Sequence, residues 1–439
     1  MSIYFGTDGI RGIVNSDLSK EICFNCGNAL TSITPSAKIL IGTDTRVSAS
    51  LVASSFAVGA ISGGASVTNI GVCPTAGISY LTKLLGFNYG VAITASHNPP
   101  EFNGIKIFNN SGYKLDDRAE EMLERKFIYT KTQDAKNVGS IFYHESLVNN
   151  YAEHLINVTN AKLDGLKIVI DASNGAGYKV CPKVFRTLGA KVSLLNCKND
   201  GLNINQNCGS LHPEILSKKV LEAGANLGIA LDGDADRIIA VDEKGEIVDG
   251  DIILFILAKH LAKKGKLNAN TVVGTRHTNM GLEKALYKEG IKLIRTNIGD
   301  KYVIKELSEN NLSLGGEQSG HIIITEHEAT GDGILTGVIL ASIIAESKTP
   351  LSKLKQVQLY PQCNINCLVH DKMKVINSDL LSTAIKKEEK LLKTDARVMV
   401  RVSGTEPKIR IMVEAKNYSA ALASAERIKN VVEIINSEC

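Results

Sequence analysis

The chain has 439 residues, too many for one ordinary hydrophobic core, so two to four domains are expected. Apolar residues at 44% and charged residues at 22% give the balance of a soluble globular protein. The net charge of +4 forms no block that would favour nucleic acid, and no apolar run approaches a membrane span.

The first residues, M-S-I-Y-F-G-T-D, include neither a basic nor an apolar leader segment, and a cytoplasmic location is expected. The stretch Phe5 to Gly12, F-G-T-D-G-I-R-G, is polar and glycine-rich and carries Arg11. Strand-like and helix-like runs then alternate: strand 38–42, helix 50–62, strand 66–70, helix 76–85 and strand Tyr89 to Ile93. This is a βαβαβ pattern. It recurs with strands at 166–171, 191–195 and 227–231, and again with strands near 271–273, 292–295 and 312–314. From about Tyr360 the order changes to strand, long helix (376–392), two strands (397–401 and 408–414) and a terminal helix. A smaller α+β domain is expected there. Nine scattered cysteines, an odd number, fit reduced thiols, and neither Cys23 with Cys26 nor Cys363 with Cys367 has a partner at zinc spacing.

Four loops carry chemistry. The buried-strand pattern of Tyr89 to Ile93 breaks into T-A-S-H-N-P-P, with Ser96 at the tip and His97 beside it. A polar loop after a buried strand is where open α/β sheets place their chemistry. Ser96 taken alone reads first as a turn serine bonding its own backbone. No G-x-S-x-G elbow occurs, and on a regular strand His97 would point away from Ser96.

The second loop, D-G-D-A-D-R, follows the apolar run 227–231. On an extended chain Asp232, Asp234 and Asp236 share one side, and three converging carboxylates repel unless a cation neutralises them. Oxygen ligands of this kind suit Mg²⁺ or Mn²⁺. The spacing with Glu243 mimics a calcium loop, but Arg237 occupies the place that requires glycine.

The third loop, G-G-E-Q-S-G-H from Gly315, offers Glu317 and Ser319 to sugar hydroxyls, although a tight turn explains it as well. The fourth, R-V-S-G-T-E-P-K-I-R, combines Arg401, Ser403, Gly404, Thr405 and Arg410 in a possible phosphate cradle, or equally a polar hairpin turn. Both common nucleotide-binding glycine patterns are missing, so phosphate is implied and nucleotide is not.

Taken together, T-A-S-H-N-P, D-G-D-A-D-R, G-E-Q-S-G-H and R-V-S-G-T-E-P resemble the four ordered signatures of the α-D-phosphohexomutase superfamily, over essentially the whole chain. Within it, F-G-T-D-G-I-R-G, N-G-I-K-I-F and Gln318 resemble the bacterial phosphoglucosamine mutases. The resemblance implies three similar α/β domains (1–148, 149–249 and 250–362) and a smaller α+β domain (363–439) around one central cleft. It further implies exchange of glucosamine 6-phosphate with glucosamine 1-phosphate through phosphorylated Ser96 and a sugar 1,6-bisphosphate. That exchange lies on the route to UDP-N-acetylglucosamine and peptidoglycan.

On this resemblance Ser96, Asp232, Asp234 and Asp236 bind one Mg²⁺, Arg11 and Arg237 stabilise the moving phosphoryl group, and His97 lies beside the serine. Lys106 is the candidate for proton transfer, provided that nearby cations and burial lower its pKa. Glu317 and Ser319 hold the sugar; Arg401, Ser403, Gly404, Thr405 and Arg410 hold its distal phosphate. A hexose 1,6-bisphosphate or autophosphorylation primes Ser96, the substrate is a small phosphosugar, and the protein is a monomer or homodimer. Three departures stand out: T-R-H-T-N-M-G at Thr275 to Gly281, Lys301 in place of arginine, and Ala235 in place of glycine. Alternatives are a phosphoglucomutase or phosphomannomutase of the same superfamily, a silent phosphosugar-binding regulator, and a metal-dependent phosphatase.

Overall fold

In each of three successive α/β segments, a strand runs parallel to the first strand of its own segment and the chain then doubles back antiparallel. The computed structural model describes residues 4–6, 8–129, 134–392, 396–403 and 406–437. In the first segment Tyr89–Ile93 pairs in parallel with Lys38–Thr43, and Phe102–Asn109 returns antiparallel beside it. Leu227–Leu231 likewise pairs with Lys167–Asp171 and is followed by Ile238–Asp242. Leu314–Gly316 pairs with Thr271–Thr275 and is followed by Ile322–Ile324. The loops that hold Ser96, the three aspartates and Glu317 occupy the same topological place in all three, between the third parallel strand and its antiparallel return.

The first sheet has seven strands, in the order Phe5–Gly6, Gly9–Ile13, Phe102–Asn109, Tyr89–Ile93, Lys38–Thr43, Ser66–Val72 and Ser140–Tyr143. Tyr89–Ile93 is central, and its Val91, Ala92 and Ile93 are buried, as a strand covered on both faces requires. Val91 and Ile93 share a core with Phe56, Ile39 and Ile105, each large aliphatic contributing roughly 1.5–3 kcal/mol. Register places Lys106 opposite Ala92 and Arg11 opposite Gly104, so the doubling back brings both cations beside the serine loop. The strand Phe102–Asn109 escaped the sequence pattern because Asn103 and Lys106 interrupt its apolar run. Both are buried by polar pairing instead, Asn103 Nδ2 donating to Ser48 Oγ at 3.0 Å.

Many element boundaries shift by a residue or two from expectation, and two of the differences have a visible cause. The strand expected at 312–314 begins at Leu314, because Asn311 turns left-handed (φ 49) and Leu312 N–H donates back to Leu307 O to close the preceding helix. Of two successive helices here, Lys372–Ile376 and Asp379–Leu392, the second is the long helix expected over 376–392, starting three residues later. Asn377 ends the first by donating to Met373 O, while Ser378 O accepts from Ser382 N at the start of the second.

By packing, the chain forms two compact units: Met1–His277 with Gly290–Gln356, and Thr278–Glu289 with Val357–Cys439. The first holds the seven-, five- and four-stranded sheets. The second holds an antiparallel sheet in the order Gln362–Leu368, Lys408–Ala415, Ala396–Val402, with helix Tyr418–Ser437 against it. Helix Met280–Lys288 belongs to this second unit: Asn279 Nδ2 donates to Tyr360 O at 3.0 Å and Tyr360 N–H to Asn279 Oδ1 at 2.9 Å.

Candidate active site

Ser96 is 1% exposed and sits at φ 50, a left-handed conformation that non-glycine residues adopt sparingly. Its turn is braced from inside. Ser96 N–H donates to Thr94 Oγ1 at 2.9 Å, and Thr94 Oγ1 donates to Asp44 Oδ2 at 2.7 Å. Arg46, paired with Asp44, donates to the carbonyls of Ser96, Asn98 and Phe102 at 2.8–3.0 Å and also to that of Pro99. The side chain of Ser96 faces the second domain, where its Oγ donates to Asp232 Oδ2 at 2.7 Å. The turn also swings His97 Nδ1 to 3.3 Å from Ser96 Oγ, where regular strand geometry would have pointed it away. Burial, with Arg237 and Arg11 nearby, lowers the His97 pKa to about 4, so the ring is neutral at pH 7.

Asp232, Asp234 and Asp236 do converge, with one carboxylate oxygen of each within 4.8 Å of the others and all three buried. They converge through a turn and not by extended alternation: Ala235 is left-handed (φ 60) and its N–H donates to Asp232 O at 3.0 Å. Burial, then Asp236 and Asp234, pushes the Asp232 carboxyl well above the usual carboxylate range. Burial acts on Asp236 in the same direction, but Lys106 and His321 outweigh it and hold that group well below. Asp234 Oδ1 and Asp236 Oδ1 are buried without a hydrogen-bond partner. Unsatisfied buried carboxylate oxygens are hard ligands awaiting a cation, so these residues can hold a metal ion.

The surroundings of Lys106 differ from the cationic ones that the sequence led us to expect. Proton transfer required neighbouring cations to lower its pKa, yet its Nζ lies 2.8 Å from Asp234 Oδ2, 3.1 Å from Asp236 Oδ2 and 3.1 Å from Asp8 Oδ2. Burial, the largest single influence, works against the charge. The three carboxylates together outweigh it and hold the ammonium well above the ordinary lysine value. Lys106 is the fixed cation of the cluster.

Residues that the sequence did not reveal surround this centre. Asp8 pairs with Arg11, Lys106 and Lys114, and Lys114 also pairs with Asp300 of the third domain. His321 places Nδ1 3.6 Å from Asp236 and Nε2 3.6 Å from Asp300, so polar contacts around this centre run through all three α/β domains. The one available signal for Asp8 was its place three residues before Arg11 in the opening glycine-rich stretch.

Arg11 Nη1 donates to Asn98 Oδ1 at 3.0 Å, and Arg237 N–H donates to Asp232 Oδ1 at 3.1 Å. The charge of Arg237 is favoured by Asp236, Asp232 and, from the third domain, Glu317, although burial opposes it. Glu317 Oε1 accepts from Gly299 N–H at 3.2 Å, Gln318 Nε2 donates to Asp249 Oδ2 at 3.1 Å, and Ser319 is exposed. Of this loop, Glu317 lies within electrostatic reach of Arg237. Lys301, one of the departures, is engaged elsewhere: its Nζ lies 2.7 Å from Asp117 Oδ1.

In the second unit Arg401 and Arg410 are direct cross-strand partners, and Arg410 Nη2 lies 3.4 Å from Ser403 Oγ and 3.2 Å from Glu406 Oε2. Burial and the facing Arg410 both lower the Arg401 pKa. Two facing arginines beside a serine hydroxyl are groups of the kind that bind phosphate, and Glu406 already offsets part of the charge of Arg410. Gly404 and Thr405 lie outside the described residues.

A buried serine hydroxyl bonded to a carboxylate cluster that could hold a metal ion, on repeated α/β domains, suits one class of protein: a phosphoryl-transfer enzyme. Comparison with known proteins agrees along the whole chain. Family models described as phosphoglucomutase/phosphomannomutase α/β/α domains I, II and III match residues 2–134, 146–245 and 249–360, and the C-terminal domain matches 365–431. A phosphoglucosamine mutase of Desulforamulus reducens is 44% identical over 441 residues, covering 98% of this chain and 99% of that protein. One of Clostridioides difficile is 42% identical over 444 residues, covering 99% of each. Among solved structures, a phosphoglucomutase/phosphomannomutase family protein of Burkholderia thailandensis superposes with TM-score 0.83 at 22% identity, covering 99% of this chain and 98% of that one. The N-acetylphosphoglucosamine mutase of Aspergillus fumigatus, solved with GlcNAc-6P and magnesium, gives 0.70 at 16%, covering 99% and 96%. At these identities the structures establish the fold.

The chain belongs to the phosphoglucosamine mutase family of the phosphohexomutase superfamily. It is an isomerase acting on a small sugar phosphate. Among the described residues no helix is long and apolar enough to cross a membrane.

Proposed function

We propose that this chain interconverts glucosamine 6-phosphate and glucosamine 1-phosphate, supplying UDP-N-acetylglucosamine and peptidoglycan synthesis. The observation that carries the chemistry is Ser96 Oγ, buried and 2.7 Å from Asp232 beside carboxylate oxygens that lack partners. The assignment to the amino sugar is supported by full-length identity of 41–44% to phosphoglucosamine mutases.

In this reading Ser96 carries a phosphoryl group. Attack by a sugar hydroxyl breaks the Oγ–P bond and forms the second sugar–phosphate bond, and the proton lost by that hydroxyl is balanced by the one gained by Ser96 Oγ, giving the 1,6-bisphosphate and a free serine. After the sugar reorients, Ser96 takes back the other phosphate. Asp232, Asp234, Asp236 and phosphorylated Ser96 hold Mg²⁺, which when bound neutralises phosphoryl charge. Arg11 and Arg237 flank the serine and stabilise the moving group. Neutral His97 hydrogen-bonds the serine oxygen, and Lys106 fixes the carboxylates by charge. Glu317 and Ser319 hold the sugar, while Arg401, Ser403, Gly404, Thr405 and Arg410 hold its distal phosphate. A hexose 1,6-bisphosphate or autophosphorylation primes Ser96. The domains divide at 148, 249 and 362, and the protein works in the cytoplasm as a monomer or homodimer, without nucleic acid.

Comparison of kcat/KM for glucosamine 1-phosphate, glucose 1-phosphate and mannose 1-phosphate tests the assignment. A preference of at least about tenfold for the amino sugar, about 1.4 kcal/mol of discrimination, is expected. Preference for glucose or mannose would move the chain to the phosphoglucomutase or phosphomannomutase reading.

A further inference from the structure

The turn that carries Ser96 leaves two backbone carbonyls that its own domain satisfies with a single guanidinium nitrogen. Arg46 Nη2 lies 3.0 Å from Ser96 O and 2.8 Å from Asn98 O. A second donor reaches the same two oxygens from the second domain: Asn205 Nδ2, 2.8 Å from Ser96 O and 3.0 Å from Asn98 O.

Asn205 is fixed for this task. It is 8% exposed and left-handed (φ 60), a conformation that asparagine tolerates better than most residues. Its own N–H donates to Ser173 O at 3.0 Å, and Gly209 N–H, closing the same loop, donates to Asp171 Oδ2 at 3.0 Å. Thr45 Oγ1 of the first domain donates to Asn174 O at 2.5 Å beside it. Gly233, between Asp232 and Asp234, completes the contact. A β-carbon at this glycine would lie 2.5 Å from Ser96 O and 2.7 Å from Asn205 Nδ2. Serine turn, aspartate loop and Asn205 therefore touch without a gap that could absorb a shift.

We infer that Asn205 is a positioning residue that registers the Ser96 turn of the first domain on the aspartate loop of the second. The inference rests on the reading of Ser96 and the three aspartates as the reacting centre. Asn205 acts through two carbonyl oxygens and not on substrate, so its loss shifts the reacting oxygen relative to the carboxylates without altering the sugar contacts.

The test uses the full chain with Asn205→Gly, which keeps the backbone conformation and removes the donor. It also uses Asn205→Asp, which keeps the size and sets a carboxylate against the two carbonyls. In both, kcat falls at least about thirtyfold while KM stays within about threefold, the pattern of misplacement of the reacting atoms. The Mg²⁺ concentration for half-maximal activity rises at least about fivefold, because the ligands come from both sides of the joint. Amide hydrogen exchange over residues 94–104, measured without metal or substrate, speeds up in both variants. Variants that lose melting temperature alone, with kcat, Mg²⁺ dependence and exchange unchanged, would overturn the inference. If Asn205→Gly does not fold, the isosteric Asp variant decides. If the unaltered protein interconverts no sugar phosphate, the proposed function fails, and the exchange comparison still decides the role of Asn205.

Discussion

Ser96→Ala reduces interconversion by at least about four orders of magnitude, the scale seen when a covalent nucleophile is removed. The structure supports so large an effect because, among the described residues, Ser96 Oγ is the hydroxyl that donates to Asp232 Oδ2, while Thr75 Oγ1 is held by Asp234 and Thr94 Oγ1 by Asp44. The fold survives the change. Two hydrogen bonds are lost, to Asp232 and His97, each worth about 1 kcal/mol, and the Arg46 bracing acts on carbonyls that alanine retains. Turnover measured alongside the urea midpoint separates the two effects. A variant that keeps more than about a hundredth of the activity would remove Ser96 from the role of nucleophile.

Lys106→Met is expected to act the other way round, on stability first. It leaves Asp8, Asp234 and Asp236 facing one another in a buried site without the ammonium that lies within 3.1 Å of all three. Removing one partner of a buried charge cluster costs about 3–5 kcal/mol. Mg²⁺ then supplies part of the missing positive charge, so it raises the urea midpoint of the variant more than that of the unaltered protein. If Lys106 were instead a base with a lowered pKa, the variant would lose activity and keep its stability. Equal midpoints for the two proteins, with or without Mg²⁺, would contradict the role assigned to Lys106.

What could be read from the chain was local. The strands Tyr89–Ile93, Lys191–Leu195 and Leu227–Leu231 lie where the apolar runs placed them, because sharp polar breaks mark both ends of each. The three aspartates were legible for the same reason, as regularly spaced charges directly after a buried strand, although a left-handed Ala235 brings them together. What escaped was set by contacts between distant segments. Asp8, Lys114, Asp300 and His321 gain meaning only where three domains meet. Arg46 and Asn205 are ordinary loop residues until both are found on the same two carbonyls. Lys106 did leave a trace, a lysine inside the apolar run N-G-I-K-I-F, where burial requires paired charge. Its surroundings, acidic and not basic, could not be read from that run.

The most direct test of the account follows phosphorus. The full chain is primed with a hexose 1,6-bisphosphate, supplied with Mg²⁺ and glucosamine 6-phosphate, and observed by ³¹P NMR, with Ser96 phosphorylation read by mass spectrometry. The account predicts a glucosamine 1-phosphate signal that grows to equilibrium without loss of total sugar phosphate, together with a phosphate on Ser96. Release of inorganic phosphate without the 1-phosphate, or turnover with Ser96 never phosphorylated, would contradict it.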